Sequence, residues 1–161
     1  MITIRELIVS DYPKMEEFLY WAIFTPPGEN LPERDIIYNP DVFIYIKDFG
    51  SGDDCGVIAE VDGQAIGSAW TRIIPAYGHI DNQTPELAIS VLSEYRNQGV
   101  GEMLMEKLFD LLSNRGYEKT SLAVQKENPA VRFYLRLGYE IIEEKTEEYL
   151  MIKMLDKNLS A

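Results

Sequence analysis

Of the 161 residues, one is cysteine, Cys55, and one is histidine, His79. A lone cysteine cannot close an internal disulfide, so packing alone must hold the fold; a reducing compartment, the cytoplasm, is the expected location. With a single imidazole and a single thiol there is no spaced ligand set, and no metal is expected. Cys55 reads as a small apolar residue, buried or half-buried. No run approaches the roughly 18 apolar residues that cross a bilayer. The N-terminal MITIRELIVSDY breaks its apolar alternation with charges and lacks a basic head before a continuous apolar segment, so no signal peptide is expected. Positive charge is also scarce, with 15 Lys and Arg against 27 Asp and Glu, a formal net charge of -12. So acidic a surface repels nucleic acid and anionic membranes, and neither is expected as a partner. It suits a cationic substrate such as an amine, and equally it serves solubility. Much of the excess lies in EIIEEKTEEY, which reads as solvated strand or turn surface.

What is present is a globular core. Hydrophobic residues make up 46% of the chain, enough for one folded domain over residues 1–161. Residues 2–8 read as a strand. Residues 10–24 read as a helix, with Ser10 or Asp11 able to cap it and Pro13 tolerated in its first turn. TPPGENLPERD breaks that helix, and YNPDVFIYIKDFG reads as a short helix ending before GSGDD, where Asp53 and Asp54 make a turn. Residues 55–75 form the clearest hairpin, turned at Asp62-Gly63. AYGHIDNQ is a loop and TPELAISVL a buried strand. Val100, Met103, Leu104, Lys107, Leu108, Leu111 and Leu112 recur at helical spacing, and Gly116 ends that helix. YEKTSLAVQ is a strand. NPAVRFYLRLGYE is a short helix with Asn128 at the cap, Pro129 at the first position and Gly138 as the stop. YEIIEE and EEYLMIKML are two last strands, paired antiparallel. The order predicts an α/β fold, a mixed sheet with helices on its faces.

The stretch SEYRNQGVGEML, residues 93–104, joins a strand to a helix through two glycines. The first turn of a helix presents backbone N–H groups without internal partners, at the positive end of the dipole. Gly99 and Gly101 let an oxygen-rich ligand approach those groups, and Arg96 adds a charge-assisted donor. A phosphate or pyrophosphate is the ligand such a loop suits; without a ligand, the same glycines make a tight turn. A P-loop needs Gly-Lys-Ser or Gly-Lys-Thr, and Glu102 and Met103 follow Gly101 instead. The dinucleotide fingerprint needs a third glycine where Leu104 stands.

Arg-x-x-Gly-x-Gly after an apolar strand and at the head of a helix resembles the acyl-CoA signature of the GNAT acetyltransferase superfamily. The whole segment from LAISVL to NPAVRFYLRLGYE is similar to that family's central region. The resemblance implies a mostly antiparallel sheet splayed between its fourth and fifth strands. It implies acetyl-CoA as co-substrate, its pyrophosphate held by Arg96, Asn97, Gln98, Gly99, Val100, Gly101 and Glu102, and its pantetheine arm along Ile89, Ser90 and Val91. It gives the Val91 N–H the thioester oxygen, a fixed dipole for growing negative charge. Asn128 would contact the pantetheine, besides capping its helix. Tyr134 would face the sulfur and protonate, or hydrogen-bond, the departing thiolate, unless it is a core residue. Glu86, at the strand start, is the candidate general base, although a one-residue slip turns it to the wrong face. Tyr20, Trp21 and Phe24 either wall an acceptor pocket or pack a helix. Trp70, Arg72, Tyr77 and His79 are expected near the acceptor mouth, with His79 solvated. The implied activity is N-acetyl transfer to a primary amine, small or peptidic, in a ternary complex; the alternative is a non-catalytic acyl-CoA-binding regulatory module. Dimers are common in the family, so a homodimer is compatible.

Overall fold

Asp62 and Gly63 both take positive φ, 51° and 79°. That twist matches the right-handed twist of the flanking strands. The two runs they join pair antiparallel as β2, Cys55–Val61, and β3, Gln64–Arg72. Around this hairpin the computed structural model describes residues 1–156; the rest of the expected 1–161 domain lies outside the described residues. The other strands are β1, Ile2–Glu6; β4, Glu86–Val91; β5, Lys119–Gln125; β6, Glu140–Glu144; and β7, Glu148–Met154. The helices are α1, Met15–Ala22; α2, Pro40–Phe43; α3, Val100–Asn114; and α4, Ala130–Arg136. The sheet is open, in the order β1-β2-β3-β4-β5-β7-β6. Every pairing is antiparallel except β4 with β5, which is parallel and made at Glu86 and Ser121 alone. The sheet is therefore splayed between its fourth and fifth strands.

One face packs on α3. Val100, Leu104, Met105, Leu108 and Leu112 are almost wholly buried against Val57, Ala69, Leu122 and Met151, each fully buried large apolar side chain contributing roughly 1.5–3 kcal/mol. The stripe is turned slightly from its expected position: Met105 faces the sheet and Met103 is exposed. The other face packs on α1 through Met15, Phe18 and Leu19, with Ile58 and Trp70 beneath.

The first helix starts later than its spacing predicts. Asp11 does not cap an α-helix over 10–24. Its buried carboxylate takes bonds from Arg5, at 2.7 and 2.9 Å, and from the Ile8 N–H at 2.9 Å. This ion pair fixes a 3-10 turn over Val9–Lys14, with Pro13 inside it, and the α-helix begins only at Met15. Trp70 and Arg72 are not at a cavity mouth either. The period-2 alternation of β3 turns both beneath the segment that follows α2. Trp70 Nε1 donates to the Tyr45 carbonyl at 2.9 Å. Arg72 donates to the Ile44 and Lys47 carbonyls, each at 2.8 Å, and pairs with Asp54 at 2.9 Å. Asp54 is thus half of a buried ion pair rather than a plain turn residue.

Candidate active site

The phase of one hydrogen bond decides what β4 presents to the splay. Leu92 N–H donates to Ile66 O at 2.9 Å, so Ser90, Ala88 and Glu86 share its phase and bond β3. In an antiparallel ladder the alternate residues then point their backbone groups the other way. Leu87, Ile89 and Val91 therefore face β5. The two strands join through Ser121 N–H on Pro85 O at 3.0 Å and then diverge. Beyond the Glu86–Ser121 pair β4 and β5 form no ladder, so the Ile89 and Val91 N–H groups lie on an edge that no paired strand covers among the described residues. Ser90 lies turned away from that edge: its backbone bonds β3, and its buried hydroxyl donates to Phe18 O at 2.7 Å, tying α1 to the sheet.

Beyond Val91 the chain makes a 3-10 turn over Ser93–Tyr95 and enters α3. Arg96 Nε donates to Val91 O at 3.1 Å, which folds the loop back on the strand end. Asn97 and Gly99 take positive φ, 63° and 81°. Arg96, Asn97, Gln98, Gly99 and Glu102 are exposed and Val100 is buried, so the bare first turn of α3 faces outward from an anchored base. The two glycines serve different needs. A Cβ on Gly99 would meet nothing within 4 Å, and its positive φ is what calls for glycine; a Cβ on Gly101 would sit 3.2 Å from the Phe133 ring, so there the close packing of α3 on α4 calls for it.

A cavity of about 700 Å³ runs through the splay. Ala88 and Ile89 line it from β4, Ala123 to Gln125 from β5, and Asn128 and Tyr134 from the start of α4 and its body. Leu19, Ile23, Phe24, Val42, Tyr45 and Tyr77 also line it, as do residues 145–148, which run from the β6–β7 turn into the start of β7. Asn128 Oδ1 accepts from Ala130 N–H at 2.9 Å, so it caps α4 and walls the cavity at once. Tyr134 is half-buried, its ring edge-on to Tyr139 at 5.7 Å. Burial pushes its phenol up to about 12, and its hydroxyl forms no hydrogen bond among the described residues.

Glu86 is 1% exposed and is not a wall of the cavity. Its Oε2 accepts from Tyr45 Oη at 2.5 Å and from Gly78 N–H at 2.7 Å, while Oε1 is buried without a hydrogen-bond partner among the described residues. Burial pushes this carboxyl up, against the two hydrogen bonds. Tyr45, which does line the cavity, stands between it and Glu86. Of Tyr20, Trp21 and Phe24 only Phe24, which follows α1, lines this cavity: Tyr20 Oη donates to Pro32 O and Trp21 Nε1 to Glu17, each at 2.6 Å. His79 is half-buried, with Nδ1 2.9 Å from Ile74 O, rather than solvated. Sequence reasoning missed Tyr45, Gln125, Lys145 and Glu148. The aromatic run FIYI was the only signal for Tyr45.

Residues 14–139 match the profile of the Acetyltransferase (GNAT) family. The chain is 29% identical over 105 residues to the uncharacterized protein YyaT of Bacillus subtilis, covering 62% of this chain and 65% of that protein. It is 27% identical over 112 residues to the acetyltransferase ECA0875 of Pectobacterium atrosepticum, covering 69% and 66%. It thus spans just under two thirds of the length of each. Among solved structures, the PaiA N-acetyltransferase of Thermoplasma acidophilum in complex with coenzyme A superposes with a TM-score of 0.69 at 18% identity, over 96% of this chain and 99% of that one. The ribosomal-protein-S18-alanine N-acetyltransferase of Escherichia coli superposes with a TM-score of 0.66 at 20% identity, over 98% and 96%. At these identities the likeness is one of fold. No helix among the described residues is long and apolar enough to cross a membrane.

Proposed function

The chain belongs to the Acetyltransferase (GNAT) family, and from that premise we propose that it transfers an acetyl group from acetyl-CoA directly to a primary amine, with both bound at once. The observation that carries this reading is the splay itself. One cavity joins Leu87, Ala88 and Ile89 of β4 to Asn128, before α4, and Tyr134, on it, and the outward-facing first turn of α3 follows β4 after the loop over residues 92–99. A ligand with an amide-bearing arm and a phosphate head fits those donors. Ile89 and Val91 can pair with the arm as a strand would, and the N–H groups of Val100, Gly101 and Glu102 have no intrahelical acceptor. Acetyl-CoA supplies the activated acetyl thioester.

The residues then divide the work. Val91 N–H offers a fixed dipole to the carbonyl oxygen as its charge grows. Tyr134 Oη, without a hydrogen bond among the described residues, offers a donor to the sulfur that departs. The far end of the cavity, walled by Leu19, Ile23, Phe24 and Val42, receives the acceptor, a small-molecule or peptide amine. An alkylammonium of pKa about 10 must lose a proton before it attacks, and Glu86 is a buried carboxylate bonded to Tyr45 of the cavity wall. Its separation from the cavity favours one other reading, a non-catalytic acyl-CoA-binding module acting in the cytoplasm. Thiol release from acetyl-CoA across a panel of amines decides between them. Amine-dependent release above background hydrolysis supports transfer; stabilisation by acetyl-CoA with no release on any amine supports the module.

A further inference from the structure

The proposed reaction needs a base, and the carboxylate best placed by sequence has no surface on the cavity. Tyr45 bridges the two. Its side chain lines the cavity and its Oη donates to Glu86 Oε2 at 2.5 Å. The segment that carries it is pinned without the phenol's help, by Trp70 on the Tyr45 carbonyl and by Arg72 on the carbonyls of Ile44 and Lys47. The Tyr45–Glu86 bond is therefore not needed to place the segment. Yet Glu86 is held buried with Oε1 unpartnered, which is costly, and an orphaned buried polar group in a native fold calls for an explanation. Gly78 N–H fixes the carboxylate from the far side, and Ser121 Oγ donates to Gly78 O at 2.7 Å, so the acceptor oxygen is oriented toward Tyr45 from two elements.

Resting on the acetyl-transfer reading above, we propose that Tyr45 is a catalytic residue that relays the acceptor's proton to Glu86. The acceptor ammonium gives its proton to Tyr45 Oη while Tyr45 gives its own to Glu86 Oε2. The ammonium becomes a neutral amine, the carboxylate becomes a carboxylic acid, and the phenol is regenerated. The amine lone pair then forms the N–C bond as the C–S bond breaks, and the second proton shed by the nitrogen passes to the departing thiolate, so the products are the neutral amide and the thiol of coenzyme A. The reverse relay returns the proton to solvent after product departs. The titratable groups around this pair are His79 of the β3–β4 loop and Glu148 of β7 near Glu86, and Tyr77 near Tyr45.

Steady-state thiol release between pH 6 and pH 10, for the wild type, Tyr45→Phe, Glu86→Gln and the double variant, tests the relay. Tyr45→Phe keeps the ring on the cavity wall and removes only Oη. Each single substitution should lower kcat/KM about 100-fold at pH 7, in the range of a lost general base. The double variant should be no slower than the worse single, since the two act as a unit. The loss should shrink toward pH 10, where the amine arrives neutral. Acetyl-CoA should still raise the melting temperature of Tyr45→Phe as it does for the wild type. A Tyr45→Phe enzyme within twofold of wild type, losses that multiply in the double variant, a loss independent of pH, or loss of acetyl-CoA stabilisation would each overturn the relay. A wild type with no amine-dependent release overturns the transfer reading, and the relay with it.

Discussion

Replacing Tyr134 by Phe isolates what its hydroxyl does. The ring is half-buried between Phe133 and Tyr139, at centroid distances of 5.6 and 5.7 Å, and Phe keeps those contacts. The hydroxyl has no bonding partner among the described residues, so its removal should leave stability within about 0.5 kcal/mol. Catalysis is different. Burial pushes the phenol up to about 12, against roughly 8.5 for a free thiol. Complete proton transfer from Tyr134 to the thiolate is thus uphill by about 4–5 kcal/mol at 1.36 kcal/mol per unit. Tyr134 is then better suited to donate a hydrogen bond to the developing thiolate than to hand over its proton. A bond to a charged group contributes about 1.5–3 kcal/mol, so kcat should fall roughly 10- to 150-fold. Thiol release at saturating substrates, with melting temperatures measured in parallel, checks this. A fall above 1,000-fold would mean that full proton transfer is required. An unchanged kcat, or a loss confined to stability, would place Tyr134 in the core alone.

Three further outcomes follow from the geometry. Gly99→Ala must hold φ near 81°, a left-handed strain of about 1–2 kcal/mol for an L-residue, so it should both lower the melting temperature and weaken acetyl-CoA binding by calorimetry. Asp54→Asn leaves Arg72 buried without its anion and should cost about 3–5 kcal/mol in urea unfolding, with Tyr45 loosened because Arg72 also holds Ile44 and Lys47. The Arg5 hydrogen bonds, chiefly, hold the Asp11 carboxyl down at about 2. Its contribution is therefore present above the unfolded value near 3.9 and is lost as pH falls through about 2; Asp11→Asn should flatten the stability curve between about pH 4 and pH 2.

Local chemistry carried much of this fold into view. Asp62-Gly63 turned its hairpin, Gly116 and Gly138 ended their helices at positive φ, and Asn128 capped α4. The loop from Arg96 to Glu102 was visible because glycine and helix-head signals sit side by side in sequence. The site's other half was hidden because long-range contacts build it. Tyr45 reaches the cavity only because Trp70 and Arg72, 25 to 28 residues away, take up the carbonyls around it. Neither side chain announces such a partner, and both looked like wall residues instead. Ser90 and Ile89 differ by a single step along β4, and nothing in LAISVL says which of them bonds β3; the Leu92–Ile66 bond settles it. Glu86 was identified as a strand-end acid, but its burial behind Tyr45 depends on how the β3–β4 loop folds back over Gly78.

The account's central claim is that acetyl-CoA lies along the free edge of β4 and at the head of α3. Amide-resolved NMR on the isotopically labelled protein, titrated with acetyl-CoA, reads that edge directly. The N–H signals of Ile89 and Val91, and those of Val100, Gly101 and Glu102, should shift and exchange more slowly with solvent as the ligand binds. Ser90, already bonded to β3, should keep its exchange rate. Saturable binding that leaves Ile89 and Val91 unprotected, or perturbations gathered on another face of the molecule, would contradict it.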